Sequence, residues 1–245
     1  MAMIIRTIMC IAGLVLASPA AAEPTKVVVR VLSQDAKFIG DGTGGARVTI
    51  REAASGKVLA HGITKGGTGN TERIMEASGR SPLVQTADAA SFNAIVDVSE
   101  PTLVDLEVEG PLGRPNSVVR VRSQRWIIPG EAIDAGNGWL VELPGLAITP
   151  RSVREGDALS IEAKVELLCG CPITPGGRWD AADYQVKAVL WSGKKRISTT
   201  PLTFRTSPGT YASTIPASTA GKLRLTIYAV NIKTGNAGVV HIPAS

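Results

Sequence analysis

Apolar and polar side chains alternate with period two along most of this chain. "KVVVRVL" (26–32), "ARVTIRE" (46–52), "FNAIVDV" (92–98), "LVDLEVE" (103–109) and "SVVRVRSQRWII" (117–128) are rich in β-branched residues. Residues two apart in a strand share one face, so each stretch predicts a half-buried strand. Clusters of Gly, Pro, Asn and Ser separate them, and "GDGTGGA" (40–46) and "GGTGN" (66–70) read as turns or loops. A second series follows: "ALSIEAKVELL" (158–168), "YQVKAVLW" (184–191), "GTYASTIP" (209–216), "KLRLTIYAVN" (222–231) and "AGVVHIP" (237–243). With a short strand or two between them, these make six or seven strands, the size of an immunoglobulin-like sandwich. "LPGLAITPRSVREGD" (143–157) lies between the series as a Pro/Gly-rich junction where a protease is expected to cut. The pattern predicts an all-β protein of two antiparallel β-sandwich domains, 23–145 and 146–245.

The first 22 residues break that pattern. Arg6 precedes an apolar run from Ile8 to Ala17, Ser18 and Pro19 end it, and Ala20-Ala21-Ala22 offers small residues before Glu23. This is the layout of a cleaved signal peptide (1–22), with Glu23 as the mature N-terminus. The run is shorter than the roughly 20 residues that span a bilayer, and no later stretch is long enough. The expected location is therefore periplasmic or secreted. Cleavage removes Cys10 and leaves Cys169 and Cys171 for an oxidising compartment. The net charge is +5, but the basic residues are scattered, with Lys194-Lys195-Arg196 the longest run. No aromatic residues interleave with a basic stripe, so nucleic acid is not an expected partner. With little aromatic content, Trp126, Trp139, Trp179 and Trp191 are read as packing anchors.

Two resemblances add to this reading. "GARVTIREAASGKVLAHGITKGGTG" (45–69) resembles the opening hairpin of transthyretin-like and carboxypeptidase-regulatory-like domains at Val48, Ile50, Ser55, Gly56, Val58 and Gly62. It departs at "GNTERIM", where that family has an aromatic residue. The resemblance implies a seven-stranded sandwich in an accessory role, with no active site. "GTYASTIPASTAGKLRLTIYAVN" (209–231) resembles the late strands of bacterial immunoglobulin-like or fibronectin-like modules, with Tyr211 as a corner or core tyrosine. Such modules bind, space or present other molecules.

Enzyme signatures are missing. There is no Gly-x-Ser-x-Gly elbow, no His-Glu-x-x-His and no phosphate-binding loop ending in Gly-Lys-Ser/Thr. His61 and His241 fall in different predicted domains. Asp180 and Asp183, beside Trp179, are read as loop carboxylates. The sequence assigns no catalytic and no cofactor-binding residue.

"LLCGCPITPGGRW" (167–179) carries the remaining chemistry. In a flat strand Cys169 and Cys171 would lie about 6.5 Å apart at Cα, near the upper end of disulfide geometry. A kink at Gly170 would close the gap. A ring so small constrains little chain, so a double Cys→Ser variant is expected to lose less than about 1.5 kcal/mol. Reduced, the pair would suit a soft ion such as Cu(I), or Zn(II) with help from His61, His241 or Met75. A passive disulfide, a copper site and a thiol-exchange site all stay open. Arg178 and Trp179, in the loop that follows, can face a partner, or Trp179 can fold back over the sandwich end. The leading expectation is a non-catalytic binding or scaffold protein that contacts another envelope protein and needs no cofactor. The alternative is a copper-binding or thiol redox protein acting through Cys169 and Cys171.

Overall fold

The computed structural model describes residues 22–216 and 222–244. Residues 1–21, on which the expected signal peptide falls, lie outside the described residues. Eight elements form the first half: β1 (Glu23–Ser33), β2 (Arg47–Glu52), β3 (Val58–Ile63), the short helix α1 (Thr71–Met75), β4 (Phe92–Val98), β5 (Thr102–Gly110), β6 (Val119–Ile127) and β7 (Trp139–Leu143). Seven strands form the second: β8 (Leu146–Glu155), β9 (Ala158–Leu167), β10 (Tyr184–Ser192), β11 (Lys195–Phe204), β12 (Thr210–Pro216), β13 (Leu223–Asn231) and β14 (Ala237–Pro243). The protein is all-β.

In the first half a sheet ordered β4-β1-β7 faces a sheet ordered β3-β2-β5-β6. Alternation sends Val27, Val29 and Val31 of β1 inward against Val48 and Ile50 of β2 and Val104, Leu106 and Val108 of β5. The opposite face of β5 carries carboxylates that meet arginines across the strands. Glu109 pairs with Arg47 at 2.8 Å and with Arg120, and Glu107 pairs with Arg122 at 2.7 Å. Hydrogen bonds from Arg120, then Arg47, hold the Glu109 carboxyl below its usual range. One pairing departs from the antiparallel expectation: β1 and β7 run parallel, from Val29↔Trp139 to Ser33↔Leu143. Chain remote in sequence is brought beside β1 there, which local alternation cannot register.

The connection from β3 to β4 carries α1, capped by Asn70, whose Oδ1 accepts the Arg73 amide at 2.8 Å. Ile74, Phe38, Val84, Ala89 and Ala90 make a small third core there. Five helical residues leave no period to read in the sequence.

The second half is ordered β14-β13-β10-β11-β12-β9-β8. β11 pairs with β10 as far as Leu202 and with β12 at Thr203 and Phe204, so it joins the two layers. Leu159, Ile161, Ala163 and Val165 of β9 pack against Val186, Ala188 and Leu190 of β10 and Leu225 and Ile227 of β13. Tyr211 is buried there, edge-on to Phe204 with ring centroids 5.4 Å apart, and burial pushes its hydroxyl up to about 12. The stretch 143–157 is not an open loop. Only Pro144 and Gly145 separate β7 from β8, and β8 pairs with β9 along its whole length. Pro150 lies in β8, at the end of the sheet order, where a residue without an amide donor is tolerated.

The tryptophans divide. Trp139 is buried in the first core and Trp179 packs against the second, as anchors do. Trp191 lies on an outward face. Trp126 is 58 % exposed, opposite Leu103.

Candidate functional site

β9 ends at Leu167, and the chain turns at once. Gly170 donates its amide to the Leu167 carbonyl at 2.8 Å, and Leu167 donates to the Cys171 carbonyl at 3.3 Å. Gly170 has φ 81°, a left-handed conformation that favours glycine, and a Cβ there would lie 3.0 Å from Thr43 Cγ2. The kink brings the cysteine Cα atoms to 5.5 Å, and the sulfurs are bonded. Both cysteines are buried and belong to the second core.

The structure does not bring the suggested helper ligands to them. His61 is on β3 opposite Thr49, His241 is on β14 opposite Thr226, and Met75 packs on the third core. Among the described residues no three His, Cys, Asp or Glu side chains gather in a metal-binding group.

What surrounds the cysteines is a junction between the sandwiches. Successive side chains point into different cores: Leu167 and Cys169 into the second, Leu168 into the first. The Leu168 amide donates to Ser33 Oγ at 3.1 Å. Ala147 also enters the first core, and Ala36 enters the second. Asp35, at φ 60°, turns the loop after β1 into the junction. Its carbonyl accepts the Trp179 indole N–H at 2.8 Å, and its carboxylate accepts the Thr234 hydroxyl at 2.5 Å. Asn236, buried, accepts the Gly145 amide at 2.7 Å. Glu166 holds Arg114 of the first sandwich at 3.2 Å and Lys164 of its own strand at 2.9 Å, beside a cleft of about 470 Å³.

Trp179 therefore folds back as a lid, with its polar edge spent on Asp35. Arg178 pairs with Glu76, just after α1, at 3.0 Å. These two residues make contacts within the chain, from the second sandwich to the first. Asp180 accepts the Ala182 and Gly176 amides, both at 3.1 Å, and these bonds hold its carboxyl below the usual range. Asp183 pairs with Lys233 at 2.8 Å.

One junction carboxylate works against the fold. Partial desolvation, and then the charge of Asp35, raise the Glu142 carboxyl above its ordinary value, although the side chain still reaches solvent. A raised carboxyl favours the folded state only while protonated, so its contribution falls as pH rises above the ordinary carboxylate range. Glu142→Gln should therefore raise the denaturation midpoint at pH 7, by a small amount because the residue faces solvent, and the gain should vanish near about pH 4. Midpoints at both pH values check this; an equal gain at both would remove the charge as its cause.

The class that emerges is an all-β protein of two interlocked β-sandwiches. No protein-family model and no curated protein matches the sequence. Among solved structures, the chicken interferon gamma receptor alpha chain is 11 % identical, with 92 % of this chain and 99 % of that one covered and a TM-score of 0.34. A DUF3823 family protein from Bacteroides ovatus is 8 % identical, with 91 % and 97 % covered and a TM-score of 0.30.

Proposed function

We propose that this is an exported, non-catalytic binding protein of the bacterial envelope, whose two sandwiches act as one rigid presenting body. The interlock supports this reading most directly. Leu168 completes the first core while Leu167 and Cys169 complete the second, and Trp179 fastens the seam. Such a junction fixes the relative orientation of two surfaces, which suits a protein that must meet a partner in one geometry. Cys169 and Cys171 then serve the turn that makes the interlock.

The chain should leave the cytoplasm and begin at Glu23, where β1 begins. Intact mass of the protein recovered from periplasm and medium checks this, and in-cell photo-crosslinking checks for a partner. Protein that stays cytoplasmic with residues 1–22 attached would end the envelope reading. A substrate turned over by the purified protein would end the non-catalytic one.

A further inference from the structure

All 21 acidic residues of the chain precede Tyr184, and the segment from there to the C-terminus carries eight lysines and arginines and no aspartate or glutamate. Four strands of that segment, β14-β13-β10-β11, lie side by side. Their inward positions fill the second core. Their outward positions make a cationic and aromatic face. Across it run Arg224, Trp191 and Arg196 in one row, and Val239, Tyr228 and Lys187 in another.

The centre of this face is pre-organised. Thr226 Oγ1 accepts the Trp191 indole N–H at 3.1 Å and Arg224 Nη1 at 2.9 Å. Its own hydrogen is then left for His241 Nδ1, 2.9 Å away. The Arg224 guanidinium sits over the Trp191 ring at 5.1 Å. Val189, though outward, is only 8 % exposed, while Val239 is 51 % exposed. Arg47, Arg120 and Arg122 on the outer face of the first sandwich are neutralised across strands by Glu107 and Glu109. Here, among the described residues, no carboxylate pairs with Lys187, Arg196 or Arg224.

We infer that this face is the docking surface for an acidic protein partner. The inference rests on the binding-protein reading above and names where the partner sits. Tryptophan, tyrosine and arginine around a small apolar centre, rimmed by unpaired charge of one sign, is the composition of an interface hot spot. The uniform positive charge steers an acidic surface to it. Two other anionic partners fit less well. Single-stranded nucleic acid stacks bases on open aromatic faces, and Arg224 already lies over Trp191. A lipid surface takes large apolar side chains into its interior, and the freely exposed side chains here are modest, Val239 and Ile197.

The test uses the full mature chain and a fluorescent glutamate–tyrosine copolymer as probe. Binding should weaken steeply as salt rises. Lys187→Glu with Arg224→Glu should lower affinity by at least about tenfold, as should the charge-neutral Tyr228→Ala. Lys57→Ala, on the exposed turn before β3, should leave it unchanged. Melting curves of each variant exclude unfolding as the cause. The inference is overturned if the copolymer does not bind, or binds the reversed-charge variant equally well. It is also overturned if oligothymidylate or vesicles containing phosphatidylserine bind this face more tightly at the same salt. Salt-sensitive self-association in sedimentation, lost in the reversed-charge variant, would give the face to a second copy and overturn it too. None of these results bears on whether the chain is exported or starts at Glu23.

Discussion

Leu168→Ala should destabilise the protein by about 3 kcal/mol and loosen the two sandwiches together. Leu168 is fully buried, in a core built otherwise almost wholly from the other half of the chain. Truncating a buried leucine removes its transfer free energy and leaves a cavity, typically about 2–5 kcal/mol in all. Here the cavity opens at the seam, so the contacts that depend on the turn's position weaken with it: the Leu168 amide to Ser33 and the Trp179 indole to Asp35. The wild type should resist cleavage at 144–157, because β8 is paired and its first residues are buried. The variant should be cut there. Denaturant melts and timed proteolysis give both answers. A loss below about 1 kcal/mol, with unchanged proteolysis, would mean that Leu168 does not hold the seam.

The double variant Cys169→Ser/Cys171→Ser should lose about 2–4 kcal/mol, more than the ring size alone suggests. The ring argument is sound as far as it goes: two residues apart, the bond constrains almost no unfolded chain. It leaves out burial. Both cysteines are at most 5 % exposed and belong to an apolar core. Two serine hydroxyls there cost about 1–3 kcal/mol each wherever they find no acceptor. Cys169→Ala/Cys171→Ala adds no hydroxyl and should lose clearly less. Melts of the two variants side by side separate burial from ring closure. Equal losses would remove the hydroxyl explanation, and a loss below about 1.5 kcal/mol in the serine pair would return the cysteines to the small structural role their spacing suggests.

Alternation made most strands legible. β4 and β14 match their apolar runs end to end, and β9 and β10 do so within a residue. Each has one face in a core, so period two is written in the composition. β8 was hidden because Pro150 and Gly145 read as breakers, whereas a strand at the end of a sheet tolerates proline. The parallel β1–β7 pair was hidden because its register joins residues about a hundred positions apart. At the candidate site, the kink at Gly170 could be argued from ring geometry. That Leu167, Leu168 and Cys169 serve two cores could not, since alternation does not say which sheet each face meets. The basic face carried a plain signal: no acidic residue after Asp183. Counting charges over the whole chain averages that asymmetry away, and only the pairing of β10, β11, β13 and β14 gathers the cations and aromatics onto one side.

The interlock also orders events in time. A chain that emerges from its N-terminus presents β1 to β7 first, and in many two-module proteins such a leading unit folds before the next appears. Here the leading sandwich lacks Ala147 and Leu168 until the start of the second half has followed it. Its core should stay unfinished until the end of β9 has left the ribosome. The first sandwich should then complete its core only when the turn at Gly170 arrives. The residues that join the two cores are thus also the ones the first sandwich must wait for.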